Sequence, residues 1–189
     1  MINNYWQRFL YLEIKLKELG NYIQIDERNF NVFSIEIMSL YLSTCSEIEA
    51  VYKAISNKTG QQYNFDKFRS DFSLIADKDL LLEDVSFRNN SLKFKPFQDI
   101  ESKNQDQFIS IKWWKDHNLI KHNRELNFHN ATLENFLNSL SALYLLNLYF
   151  YYVKEGKGSI SPIPEIFQTN RFYVDMRSGG KGFEYFKFE

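Results

Sequence analysis

Cysteine, proline and glycine are all scarce: the 189-residue chain holds one Cys, three Pro and seven Gly. A single thiol, Cys45, excludes an intramolecular disulfide and a cysteine-built zinc site. It lies in an apolar-periodic stretch, where a buried structural thiol is expected. So few chain-breakers leave room for long helices and argue against a many-turned β-sandwich. An excess of either charge is missing too, since 23 basic residues face 24 acidic ones and the pI is near 6.3. A surface that grips long nucleic acid throughout would be far more basic, so polyanion binding must be local and DNA is not an expected partner. Residues 1–8 contain no apolar core of signal-peptide type, and a cytoplasmic chain is the expectation. Residues 135–153 carry no charge, but Asn135, Asn138, Ser139, Ser141 and Asn147 punctuate them. A buried core helix is therefore expected there, and no membrane partner.

Apolar and aromatic side chains are abundant, at 44% and 17% of the chain with 18 Phe and 12 Tyr, enough for a real core. Phe9, Leu12, Leu16 and Leu19 recur at helical spacing and predict a helix over 3–19, stopped by Gly20-Asn21. Val32, Ile35, Met38, Leu42, Cys45, Ile48, Val51 (or Tyr52) and Ile55 predict a second over 31–55. Within it Glu47 and Glu49 point about 200° apart, so at most one faces the core. The plain expectation is two solvated charges; the functional one is that a glutamate orients a basic residue on a neighbouring helix.

Phe65, Phe68, Phe72 and Ile75 suggest a short helix over 62–75. Residues 77–97 change character: Leu80-Leu81-Leu82 and Leu92-Lys93-Phe94-Lys95 flank Asn89-Asn90, which suggests a hairpin or extended loop. A polar, exposed stretch over 99–107 follows. Helices are expected over about 110–121 and, after a break near 127–130, over 131–153. Asn130 or Thr132 would cap the latter, with Glu134 in its first turn. Pro162 and Pro164 rule out helix in the tail, where 172–174 and 183–188 read as strands joined by a hairpin turn at 178–182. That glycine-rich turn lacks the following helix that a phosphate cradle needs. The expected fold is mainly α: an antiparallel helical bundle over 1–158, with a small extended or hairpin insertion near 77–97. A β-rich tail over 159–189, ending in a short C-terminal β-hairpin, packs on the bundle.

One stretch is chemically dense. From Lys112 to Arg124 the sequence reads Lys-Trp-Trp-Lys-Asp-His-Asn-Leu-Ile-Lys-His-Asn-Arg. Four basic residues against Asp116 give a local charge of +3 before the two histidines are counted. Wound as a helix, His117, Asn118, Lys121, His122 and Arg124 share an arc of about 160°, provided the helix reaches Arg124. Histidine moves protons near neutrality, while arginine and lysine hold a phosphate and the charge that builds on it. Those groups suit metal-independent cleavage of RNA, whose own 2′-hydroxyl is the nucleophile. Two histidines five apart are poorly placed to share an ion, and no metal or other cofactor is expected. The packing alternative is that the tryptophans are core and the polar groups fix a helix junction.

Taken together, Trp113-Trp114-x-x-His117-Asn118-x-x-Lys121-His122-x-Arg124 ahead of a long apolar helix resembles a bacterial branch of the HEPN-like superfamily. Those are helical-bundle proteins, many of them ribonucleases of toxin or phage-defence systems. Their signature is an arginine, often followed by asparagine, with a histidine after a gap of four to six residues. Asn118 and His122 match the second and last positions, and His117 stands where the arginine belongs. A second register, Arg124 to His129, satisfies the spacing with Glu125 in the asparagine position. The resemblance covers roughly 31–153. It implies a metal-independent endoribonuclease of defence or stress response, and a homodimer whose two motifs line one cleft. His122 would then be general base or acid, Arg124 and Lys121 would hold the scissile phosphate, and Asn118 and His117 would orient them. With His117 in the arginine's place, the alternative is a catalytically inactive dimeric module that binds RNA, a nucleotide or a protein partner. A third reading is a purely structural or interaction domain.

Overall fold

The computed structural model describes residues 4–60, 62–156, 159–176 and 184–188. Helix α1 (Asn4–Leu19) buries Trp6, Phe9, Leu12, Leu16 and Leu19, the expected stripe. Helix α2 (Ile35–Ile55) begins four residues later than its periodicity suggested. Ser34 caps it, accepting the Ile37 amide at 3.1 Å. The carbonyl of Val32 instead accepts the amide of Leu133, so the residues before the cap pair with another segment and Ile35 is left 72% exposed. Of the two glutamates, Glu47 takes Arg8 of α1 at 3.0 Å, and Glu49 pairs with Lys53 one turn along its own helix at 2.6 Å. One glutamate does orient a basic residue on a neighbouring helix.

Helix α3 (Phe65–Asp71) is shorter than expected and passes into a 3-10 turn at Phe72–Leu74. Leu80-Leu81-Leu82 is not a strand: Lys78–Leu82 is a 3-10 helix that buries Leu80 and Leu81 side by side, which an alternating strand does not do. Strands β1 (Val85–Phe87) and β2 (Lys93–Phe94) form the hairpin around Asn89-Asn90. The polar stretch after it holds a second hairpin, β3 (Lys103–Asn104) with β4 (Gln107–Phe108). Its two linking residues, Gln105 and Asp106, have φ of 48° and 65°, the left-handed pair that a two-residue hairpin demands.

Helix α4 (Lys112–His122) and the short α5 (Arg124–Asn127) precede α6 (Leu133–Tyr149). Of the two candidate caps Thr132 is used, accepting the Asn135 amide at 3.2 Å. α6 is the core helix expected: only Glu134 and Asn138 of its residues lie outside the buried set, because α1, α2 and α4 all pack on it. It runs on through a π-helical turn, Phe150–Lys154. Among the described residues no helix is long and apolar enough to cross a membrane.

The tail contributes β5 (Ser159–Ile160), β6 (Phe167–Gln168), β7 (Phe172–Met176) and β8 (Glu184–Phe188). β7 and β8 pair antiparallel, with β5 on the other side of β8. The turn expected at 178–182 lies outside the described residues. β6 pairs with β1, so insertion and tail share one sheet of order β2-β1-β6. Several contacts fasten the tail to α1, the Lys17–Glu165 ion pair among them. The Trp6 indole donates to the Pro162 carbonyl at 2.8 Å. The buried Glu13 carboxylate accepts the amides of Glu165, Ile166 and Phe167. Phe167, fully buried, meets Phe9 edge-on at 5.6 Å.

Candidate functional site

The dense stretch divides into two faces of α4. One face is structural. Trp113 is 3% exposed, its indole donates to the Pro96 carbonyl at 2.9 Å, and its own carbonyl accepts the Tyr41 hydroxyl. Lys112 reaches Glu134 at 3.1 Å and the Asn135 side chain at 3.0 Å, while Asp116 accepts from Asn135 at 2.8 Å. Two of the charges that marked the stretch are thus spent on tying α4 to the start of α6.

The other face opens on a cleft against α2 and α3. It has two adjoining lobes, of about 640 and 350 Å³. His117, Lys121, Glu49, Tyr52, Asn64 and Phe65 line the larger, and Arg69, Lys115, Leu119, Asn123 and Asn127 the smaller. Asp66, Trp114, Asn118 and His122 border both. Trp114 is partly buried; its ring stacks on Phe65 at 4.4 Å, and Tyr52 meets it edge-on at 6.4 Å. The wall between α3 and α4 is therefore aromatic, and the rim carries Lys115, Lys121 and His122, all exposed.

Four of the five expected site residues, His117, Asn118, Lys121 and His122, line this cleft. They occupy it differently. His117 is only 5% exposed, 5.0 Å from the Trp114 ring and 6.2 Å from Tyr41. Burial, followed by the positive charge of Lys121, pushes its imidazole down to about 4, against a smaller upward pull from Glu49. It is neutral at physiological pH, and its Nδ1 is buried with no partner among the described residues. Asn118 is partly buried, and His122 and Lys121 are open to water.

Arg124 is not brought in. The helix ends at His122, because Asn123 leaves helical geometry (φ −147°, ψ 80°) and turns its side chain to cap α5, accepting the Leu126 amide. Arg124 starts that new helix, is exposed, and lines neither lobe. The continuous arc that would have included it does not form. His129, the other end of the second register, sits in a 3-10 turn (Phe128–Asn130) and likewise lines neither lobe.

Arg69, Asn64 and Asp66 at the site carried no signal in the sequence. Arg69 is buried, and its guanidinium donates to the carbonyls of Ile100, Asp99 and Ile109 at 2.8–2.9 Å while lying 4.4 Å over the Phe108 ring. It lines the smaller lobe with its Nε and Nη2 donors spent on those carbonyls. Asn64 is the cap of α3, holding the Lys67 amide at 3.0 Å. Glu49 and Asp66 bring carboxylates to the cleft, yet no group of three or more His, Cys, Asp or Glu among the described residues is close enough to hold a metal ion. No protein-family model, no curated protein and no solved structure matches the chain.

Proposed function

We propose that this chain binds single-stranded RNA in the cleft beside α4, as a catalytically inactive module of HEPN type. The observation that carries the reading is the joint placement of His117, Asn118, Lys121 and His122 around an aromatic wall, with Arg124 left outside. Exposed Lys121, Lys115 and His122 supply a local positive rim for phosphate, in a chain of net charge −1. Trp114 offers aromatic surface of the sort that unpaired bases favour. Cleavage asks for more. It needs two groups that exchange protons and a cation for the transition-state phosphate. His117 is held neutral by burial, Arg69 is committed to three carbonyls and Arg124 lies past the break, which leaves flexible lysines as the only cations at the cleft among the described residues.

The test is fluorescence anisotropy with a labelled RNA oligomer in the presence of a chelator, followed by electrophoresis of the same samples. Binding that weakens with salt and leaves the oligomer intact is the expected result. Lys121→Ala should flatten the log-log salt slope by roughly 0.7, the value for one contact to a single strand. No binding at low salt overturns the reading. A second reading, the metal-independent endoribonuclease, is favoured by His122 and Asn118 sharing one cleft. Cleavage that disappears in His122→Ala, with the melting temperature unchanged, would establish it instead. In either reading two chains pair, and the apolar side chains left open around the α4–α5 elbow, Leu119 and Leu126, support such a contact.

A further inference from the structure

We infer that the larger lobe of the cleft takes an unpaired nucleobase, and that His117 and Asn118 hydrogen-bond its edge. This rests on the RNA-binding reading and deepens it, since a phosphate-tracking groove would need neither residue. Three observations point to a base. The first is the wall: Trp114 is the partly exposed ring that borders the lobe, backed by the buried rings of Phe65, stacked on it at 4.4 Å, and Tyr52, edge-on at 6.4 Å. Every base has a face that such a surface attracts.

The second is His117. A buried polar atom without a partner calls for a ligand or an ordered water, and Nδ1 of His117 is such an atom on a residue 5% exposed that lines the lobe. The ring is neutral, so it offers one donor and one acceptor. A neutral donor–acceptor pair is mismatched to a phosphate, which wants donors and positive charge, and matched to a base edge, which presents both kinds of group. The third is Asn118, one residue on, whose side-chain amide has no hydrogen-bond partner among the described residues and carries the same complementary pair. Lys121 and His122 stand one helical turn further on at the rim, where the phosphate of the same nucleotide would lie. The volume of the lobe, about 640 Å³, is within the range of small-molecule sites.

The experiment compares two labelled oligomers of equal length by anisotropy, one of RNA and one an abasic ribose-phosphate chain. The RNA should bind at least about tenfold more tightly, the scale of one stacked and hydrogen-bonded base. His117→Phe keeps a flat ring and removes both nitrogens; it should cut the RNA's advantage over the abasic chain severalfold and leave the abasic chain's affinity unchanged. The unaltered protein gives a second readout, because it has only three histidines to assign. Titration with 5′-mononucleotides should shift the His117 imidazole nitrogen resonances, and ribose 5-phosphate should not. A response to mononucleotides as strong as to the strand would assign the site to free nucleotides, with the base chemistry unchanged. Equal affinity for the two oligomers, or an equal loss for both in His117→Phe, overturns base recognition while RNA binding stands. If neither oligomer binds, the RNA reading fails and base recognition with it.

Discussion

The Glu13 carboxylate accepts the amide of Ile166 at 2.8 Å, across 153 positions of sequence. With the amides of Glu165 and Phe167 on the same side chain, this one group on α1 anchors the segment that places β6 beside β1. Removing it would leave three N–H groups short of an acceptor. Glu13→Ala should lower unfolding free energy by about 2–4 kcal/mol and expose the tail to protease before the bundle unfolds. Glu13→Gln keeps an oxygen acceptor and should cost less than half of that. Limited proteolysis that cuts both variants and the parent at the same rate would contradict the anchoring role.

Arg69 makes the corresponding prediction for the β3–β4 hairpin. Arg69→Met retains the apolar stem and loses three charge-assisted hydrogen bonds to carbonyls, a loss of about 2–4 kcal/mol by urea denaturation. Hydrogen exchange should quicken first over 99–109. A change under about half a kcal/mol would show that water replaces the guanidinium at little cost.

Acid should weaken the fold through His117. Its folded pKa of about 4 lies below the ordinary 6.5, so between those values the unfolded chain binds more protons. The stability it contributes is complete above about pH 6.5 and is lost as pH falls toward 4. At pH 5 the loss amounts to about 2 kcal/mol. Glu13 acts in the opposite sense. Burial raises it above its ordinary 4.5, so its contribution is full below that value and shrinks as pH rises through the folded pKa. Denaturant midpoints at pH 8 and pH 5 should therefore differ much less in His117→Phe than in the parent. An identical difference in both would mean that the imidazole is not held neutral.

Pairing of two chains is tested at the elbow between α4 and α5. Light scattering at tens of micromolar should give twice the chain mass, and Leu126→Glu, at a position 71% exposed, should give the chain mass with an unaltered circular dichroism spectrum. A monomeric parent would remove the dimer from the proposal without touching the cleft.

Helical periodicity made α1, α2, α3 and α6 legible in the sequence, because each buries residues at the spacing its own geometry sets. Thr132 was legible as a cap, whereas the late start of α2 at the Ser34 cap goes with the pairing of Val32 and Leu133, which no local pattern shows. The break after His122 was not legible. Asn123 can continue a helix or cap the next, and its bond to the Leu126 amide decides the matter. The same limit applies to the site. Residue types showed that His117, Asn118, Lys121 and His122 belong together, whereas the neutral state of His117 depends on Tyr41 and Trp114 packing around it. Arg69 and Glu13 act on partners about 30 to 150 positions away, and no local pattern announces such a pair.

A helix enclosed on every side has no spare face, and α6 is one from Ser139 onward. Adding or deleting a single residue within Leu133–Tyr149 would turn everything beyond it by about 100°, presenting each neighbour with the wrong side chains at once. Length variation among descendants of this chain should therefore be absent from that span and tolerated at the Gln105-Asp106 turn, where an extra residue meets only water. The molecule has an axle whose length is fixed, and parts around it that evolution can lengthen.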